Sequence, residues 1–191
     1  MEAMAIRNCE RFLDPDVDVI AVNVAGCGAF MKRYTHIYSD HPALERIGPK
    51  FKDILEVVWQ LLEKDPELKN DWVWPEKGQK VTYHEACHLV HGQGVSDIPL
   101  RLLQSIRGLE YIPLNEATLC CGSAGTYNIT HPDDARRIQA RKLDNILATG
   151  ADIVALGNPG CNLQIASGLQ ERGKRSMRIL HPIELIDRSW R

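Results

Sequence analysis

The sequence lacks any apolar run long enough to cross a lipid bilayer. Its longest uncharged stretch, residues 153–170, contains Asn158, Pro159 and several glycines, whereas a membrane-spanning helix needs about 20 mostly apolar residues. The first 16 residues carry acidic side chains and lack the apolar segment of a secretory signal. We therefore predict a cytoplasmic chain with no membrane-crossing segment, whose thiols stay reduced.

The chain also lacks an excess of charge of either sign. It has 23 Lys and Arg residues against 25 Asp and Glu residues, a net charge of −2. Proteins that bind nucleic acid usually present a basic surface, so this balance argues against a nucleic-acid partner. With 44% apolar residues among 191, the composition excludes an intrinsically disordered protein.

Short β-branched runs alternate with amphipathic segments along the chain. Buried strands are predicted at residues 17–23, 81–83, 111–114, 153–156 and 178–180. Helices are predicted from Phe51 to Glu63, from Pro99 to Ile106 and from Pro132 to Gly150. Because strands that alternate with helices form βαβ units, we predict an α/β fold built on parallel sheets.

An internal repeat appears when the chain is laid on itself with a shift of 134 residues. The run 18–22 with the following Gly26-Cys27 falls on the run 152–156 with the following Gly160-Cys161. Each copy reads as a strand, a short turn and a Gly-Cys pair that opens a helix. Residues 1–16 correspond to the helix that precedes the strand 152–156 of the second copy. The first copy therefore lacks the earlier strands and cysteines that the second copy has. We therefore expect this chain to be the C-terminal piece of a longer protein.

The repeat divides the chain into three predicted parts. Residues 1–48 are the C-terminal tail of a truncated first repeat, and residues 80–191 form a complete second repeat. Residues 49–79 are predicted to be a helix and a linker, since the stretch 64–79 is rich in charge and contains prolines. The paired cations of the helix 132–150, such as Arg141 and Lys142, are expected to form a solvated face.

The cysteines fall into two classes. Cys9 aligns with Leu143 in the repeat and is predicted to be a buried apolar side chain without chemistry. The others follow predicted strands, and the carboxyl ends of parallel strands lie at the sheet edge where ligand sites gather. Metal ligands are therefore predicted at Cys87, Cys120, Cys121 and Cys161, with Cys27 as the equivalent of Cys161 in the first copy.

Two other residues are predicted to assist the site. Gly122 has no side chain, so backbone N–H groups at this position can approach the sulfur atoms closely. His84 opens the sequence HEACH, which fits the H-E-x-x-H signature of zinc proteases, but the preceding residues read as a strand and the signature needs a helix. For His84, two interpretations stay open: a hydrogen bond beside Cys87 that supports the cofactor, or an ordinary polar contact.

The sequence resembles the cysteine-rich CCG domain of heterodisulfide reductase and of iron–sulfur subunits in lactate- and glycolate-oxidising enzymes. The motifs that carry this resemblance are YHEACHLVHGQG, LCCGSAGTY and GNPGC, and they are most similar to glycolate oxidase iron–sulfur subunits. The resemblance implies a [4Fe–4S] cluster that takes electrons from a flavoprotein partner carrying FAD, where glycolate is oxidised to glyoxylate. It also implies a peripheral contact with an electron acceptor in the inner membrane, and no catalytic residue on this chain.

One departure from the family pattern keeps alternatives open. The family motif closes with C-x-x-C, whereas Cys161 is followed three residues later by Gln164, and Cys27 by Phe30. A five-thiolate cluster is therefore in doubt, although four thiolates suffice for a [4Fe–4S] cluster or a tetrahedral zinc ion. The alternatives are a structural zinc module and a thiol-redox protein of the lactate-utilisation or heterodisulfide reductase type.

Overall fold

In the computed structural model, which describes residues 1–14, 16–38 and 41–190, short strands alternate with helices. The strands are β1 (Ile20–Val22), β2 (Phe51–Asp53), β3 (Lys80–Tyr83), β4 (Glu110–Tyr111), β5 (Ile153–Ala155) and β6 (Arg178–Leu180). The helices are α1 (Glu2–Glu10), α2 (Ala25–Met31), α3 (Tyr34–Ile37), α4 (Pro42–Ile47), α5 (Ile54–Lys64), α6 (Ile98–Gln104), α7 (Tyr127–Thr130), α8 (Pro132–Ala148), α9 (Pro159–Glu171) and α10 (Pro182–Ser189). Short 3₁₀ helices span Gly48–Lys50 and Pro66–Asp71, and a π-helical turn spans His88–Gly92.

The larger sheet has the order β4-β3-β5-β6, and all of its neighbouring strands are parallel. Val81 and Ile153, which pair in the register of β3 and β5, are completely buried on one face, and the next pair, Thr82 and Val154, is completely buried on the other. Such burial on both faces is typical of a parallel sheet covered by helices. The predicted α/β fold is confirmed, and β3, β4 and β5 end at the same edge of this sheet.

The smaller sheet repeats one half of the larger one. β1 and β2 pair in parallel as β5 and β6 do, and β2 leads into α5 as β6 leads into α10. Both helices begin with a capping box, Asp53 with Glu56 in α5 and His181 with Glu184 in α10. We propose that the first repeat extends to Lys64, past the predicted boundary at residue 48.

Several predicted elements differ from the structure at their ends. The helix predicted from Phe51 is wrong over its first three residues, which form β2. The strand predicted at 111–114 ends at Tyr111, before Pro113, which has no N–H to donate to a neighbouring strand. The strand predicted at 17–23 is regular only over Ile20–Val22, where β2 lies alongside. The helices predicted at 99–106 and 132–150 are confirmed within two residues at each end.

The stretch 64–79, expected to be a linker, packs into the core of the larger sheet. Trp72 and Trp74 are 1% and 3% exposed, in one apolar cluster with Leu55 and Leu62 of α5. The N–H of Trp74 donates to the carbonyl of Arg107 at 2.8 Å. Within the described ranges, every helix is too short or too polar to traverse a bilayer.

Asp53 gives stability a dependence on pH. Its carboxylate caps α5 by accepting the Leu55 N–H, and burial, with a smaller contribution from Glu56, raises the pKa of Asp53 to about 6. Between about pH 4 and pH 6 the folded chain therefore binds more protons than the unfolded chain. The free energy of unfolding therefore falls by about 2–3 kcal/mol as the pH rises through this window, because the folded chain favours the protonated carboxyl.

The substitution Asp53→Asn should remove this pH dependence. Asparagine keeps the helix cap but does not titrate, so we expect the free energy of unfolding, measured in urea from pH 4 to 7, to fall less than in the wild type. Asp65→Asn is the matched control, because Asp65 caps the exposed 3₁₀ helix Pro66–Asp71. An unchanged pH profile in Asp53→Asn would contradict the assignment.

Candidate metal centre

Three strand ends of the larger sheet bring cysteines to one edge. Cys87 lies four residues after β3, the pair Cys120 and Cys121 lies in the loop after β4, and Cys161 lies in the first turn of α9 after β5. These four side chains line one cavity of about 520 Å³ together with Cys27. Residues separated by more than 70 positions in the sequence therefore meet, as the parallel topology predicts.

Cys121 lies at the centre of the sulfur group. It is 1% exposed, and its thiol interacts with the thiols of Cys120 and Cys161. Hydrogen bonding with Cys121, followed by burial, raises the pKa of Cys120. Hydrogen bonding with Cys121 lowers the pKa of Cys161, and the start of α9 further favours a thiolate there. Cys161 is thus the first of the three thiols to ionise.

Polar groups of the chain donate hydrogen bonds to three of the sulfur atoms. The N–H of Gly122 reaches Cys120 Sγ at 3.3 Å, and the N–H of Ser123 reaches Cys121 Sγ at 3.4 Å. Asn158 Nδ2 donates to Cys161 Sγ at 3.5 Å. Such donors stabilise thiolates and raise the reduction potential of a bound cluster. The N–H groups of Gly122 and Ser123 reach sulfur atoms as the small residues after Cys121 predict, whereas nothing in the sequence indicated the side chain of Asn158 as a donor.

His84 lies behind the sulfur group rather than at the cavity mouth. One of its ring nitrogens and the sulfur atoms of Cys121 and Cys161 lie within 4.8 Å of one another. The side chain is 1% exposed, and neither ring nitrogen makes a hydrogen bond of normal geometry among the described residues, although the Ala117 backbone lies close to the ring. Burial, assisted by the nearby ammonium of Lys142, lowers the pKa of His84 to about 3. The imidazole is therefore neutral, with a free lone pair.

The HEACH motif does not have the geometry of a zinc protease. Residues 84–86 are irregular and the turn His88–Gly92 is π-helical, so the two histidines do not share one face of an α-helix. His88 is exposed, and its Nδ1 lies 3.7 Å from Cys87 Sγ. The histidine beside Cys87 is therefore His88, and His84 lies against Cys121 and Cys161.

Helix α8 fixes the loop that carries Cys120 and Cys121. Lys142 Nζ donates to the carbonyls of Glu116 and Ala117 at 2.6 and 3.1 Å. Arg141 Nε and Asn145 Nδ2 donate to the carboxylate of Glu116, whose backbone has a φ of +52°. Lys142 is completely buried, so its predicted place on a solvated face is wrong. The prediction relied on the charge of Lys142, but its aliphatic carbons pack inside the molecule and its ammonium group is hydrogen-bonded there.

Cys27 lies at the rim of the cavity and is exposed. The two equivalent helix starts face each other, because the N–H of Ala25 donates to the carbonyl of Gly157 and the N–H of Gly26 donates to Asn158 Oδ1. Cys27 therefore borders the same space as Cys161, but from the solvent side.

The donor set fits a metal group. Thiolates with an imidazole are soft and borderline donors that suit iron–sulfur clusters and zinc, and a bound metal would give the unpartnered His84 an electron-pair acceptor. The donor atoms of His84, Cys121 and Cys161 lie within 4.8 Å of one another. Two sulfur ligands of one tetrahedral ion are expected to lie about 3.8 Å apart, which is a similar distance. The remaining thiols, Cys87 and Cys120, line the same cavity as Cys121 and Cys161.

Comparisons with known proteins agree with this chemistry. The family model of the CCG cysteine-rich domain matches residues 81–166. The probable glycolate oxidase iron-sulfur subunit of Bacillus subtilis is 35% identical over 188 residues, which cover 96% of this chain and 41% of that protein. The chain thus spans about two-fifths of the length of that relative.

Two further relatives have other names. Lactate utilization protein A of Geobacillus kaustophilus is 30% identical over 176 residues, which cover 90% of this chain and 71% of that protein. A fumarate reductase (CoM/CoB) subunit of Methanothermobacter marburgensis is 31% identical over 173 residues, which cover 91% of this chain and 32% of that protein. The similarity therefore extends well beyond the residues of the family model.

Proposed function

Because the chain belongs to the cysteine-rich CCG domain family, we propose that it is an iron–sulfur electron-transfer subunit. Its ligands are Cys87, Cys120, Cys121 and Cys161, and the bound group is a [4Fe–4S] cluster. When bound, the cluster takes up and releases single electrons. The observation that carries this proposal is the meeting of these four thiols in one cavity at the edge of the sheet.

The chain itself contributes ligation, polarity and access. Hydrogen bonds from Gly122, Ser123 and Asn158 hold negative charge on the sulfur atoms. Cys121 and Cys161 are buried, whereas Cys87 and Cys120 are partly exposed. The group would therefore be shielded from water on one side and reachable by a redox partner on the other, with no acid or base of this chain in the reaction.

We further propose that the partner is a flavoprotein carrying FAD that oxidises a small 2-hydroxy acid, with glycolate as the first candidate. The support is the names of two relatives, one a glycolate oxidase subunit and one a lactate utilization protein. The location that suits this role is the cytoplasm, with a peripheral contact to an electron acceptor in the inner membrane. The chain would then be part of an oxidoreductase rather than an enzyme by itself.

A structural zinc module is the second candidate. It is favoured by the spacing of the His84, Cys121 and Cys161 donors, which is close to that around one ion. A thiol-redox role is less well supported, because the pKa values of Cys87, Cys120 and Cys121 are raised, and Cys161, whose pKa is lowered, is buried away from a substrate.

Anaerobic purification tests the proposal directly. We expect a brown protein with about four iron and four sulfide per chain, whose broad visible absorbance bleaches when dithionite is added. A colourless protein that contains one zinc ion would overturn the electron-transfer proposal in favour of the zinc module.

A further inference from the structure

We propose that His84 is a direct nitrogen ligand of the metal group at this site, alongside Cys121 and Cys161. The inference deepens the proposed function and rests on it only in requiring that these cysteines hold a metal. It changes the chemistry of the site, because a neutral imidazole then joins the four thiolates in the place that the second cysteine of the family's C-x-x-C pattern would take.

Position is the first argument. His84 directly follows β3, and its N–H donates to the carbonyl of Ala155, the last residue of β5, at 2.9 Å. β5 leads within six residues to Cys161, so a backbone hydrogen bond ties the histidine to the strand that delivers this cysteine. The resulting separation of the three donor atoms, at most 4.8 Å, needs small side-chain adjustments to enclose a metal.

The unpaired imidazole is the second argument. Each buried polar atom without a partner costs about 1–3 kcal/mol, and neither ring nitrogen of His84 makes a hydrogen bond of normal geometry among the described residues, although the Ala117 backbone lies close to the ring. Side chains in such a position are normally paired with protein groups, water or a ligand. A bond from nitrogen to metal removes this cost at the ring edge that faces the two sulfur atoms.

The third argument concerns the residue three positions after Cys161. Gln164 stands where the family pattern has a second cysteine, and its Oε1 accepts from Asn128 Nδ2 at 3.1 Å. Its carbonyl accepts from Gln139. Gln164 is therefore engaged with α7 and α8 residues, and His84 is the buried donor that lies beside Cys161 instead.

A nitrogen ligand has a measurable consequence for the potential. Replacing a thiolate by a neutral imidazole makes the cluster less negative and raises its reduction potential, as in clusters with mixed cysteine and histidine ligation. The substitution His84→Cys should thus keep the metal but lower the midpoint potential. An effect of this sign distinguishes a ligand from a side chain that only fills space.

The experiment uses the full chain with ¹⁵N-labelled histidine, loaded anaerobically with iron and sulfide and reduced with dithionite. We expect pulsed EPR to detect a nitrogen coupling to the cluster that changes between ¹⁴N-histidine and ¹⁵N-histidine samples. The coupling should vanish in His84→Cys and persist in His88→Ala, the control for the histidine beside Cys87. If a variant folds poorly, the absence of any histidine coupling in the unsubstituted chain still overturns the proposal.

The outcomes separate the two proposals. A cluster without histidine coupling, or one whose coupling is lost in His88→Ala and kept in His84→Cys, overturns the ligand role of His84 and leaves the proposed function standing. If no cluster forms, the proposed function fails, and Co²⁺ becomes the probe of the same labelled chain. Histidine coupling to Co²⁺ that persists in His88→Ala and vanishes in His84→Cys would still support a ligand role for His84, and any other pattern would overturn that role.

Discussion

Replacing Cys121 with serine should leave the chain unable to hold its metal group. Cys121 is 1% exposed and lies between the thiols of Cys120 and Cys161, so its sulfur is the donor that links the others. A serine hydroxyl is a hard, poorly ionised donor that iron–sulfur clusters and zinc disfavour. Since changes to groups that merely support ligands cost about 10- to 100-fold in affinity, we expect a loss of more than about 100-fold. Iron, sulfide and zinc contents of the anaerobically purified chain measure it.

Cys9→Ala is the matched control, because Cys9 is an equally buried thiol that does not line the cavity. It is 0% exposed in an apolar cluster with Leu44, Ile47 and Phe51. Its loss removes roughly one methyl-sized group from the core, which costs about 1 kcal/mol, and the metal content should stay at the wild-type level. Equal loss of metal in both variants would show that Cys121 acts through stability rather than as a ligand. Far-ultraviolet circular dichroism on both chains checks that they fold.

The convergence of the cysteines was predictable from the sequence because it follows from topology. Every cysteine except Cys9 follows a predicted strand, and parallel strands end at one edge, so the meeting of Cys87, Cys120 and Cys161 could be predicted without knowing how the side chains pack. Cys9 was predictable for a related reason: its alignment with Leu143 marks an apolar helix position, and both residues are buried.

What the sequence could not predict depends on contacts between distant residues. Lys142 reads as a surface cation, and its burial requires the Glu116 and Ala117 carbonyls, 26 and 25 residues away, as acceptors. His84 is close to Cys87 in the sequence, yet its ring lies near Cys121 and Cys161 because the backbone turns after β3. The three residues of β2 are too few to show alternation, and Phe51 continues the apolar period of α5, so the pattern favours a helix there.

A second large effect is expected for Gly122→Ala, which places a methyl group where the backbone of α8 already lies. Gly122 has a φ of +91°, a conformation that L-residues adopt at a cost of about 1–2 kcal/mol. An added Cβ would lie 2.5 Å from the carbonyl oxygen of Ala135 and 3.3 Å from the backbone nitrogen of Gln139. Because neither is a side-chain atom, no rotamer change relieves the clash, and overpacking adds about 1–3 kcal/mol. The free energy of unfolding in urea should fall by about 2–5 kcal/mol.

The same substitution should also weaken metal binding, because the turn can escape the clash only by moving away from α8. That movement takes the Gly122 N–H away from Cys120 Sγ and shifts the adjacent Cys121. Gly125→Ala isolates the conformational part of the effect: Gly125 has a φ of +69°, and an added Cβ meets no described atom within 4 Å. It should cost about 1–2 kcal/mol and lower the metal content less than Gly122→Ala does, because Gly125 lines the cavity but donates to no sulfur atom. If the two variants lose stability and metal equally, then contact with α8 does not hold the cysteine turn in place, and the strain of a positive φ alone accounts for the result.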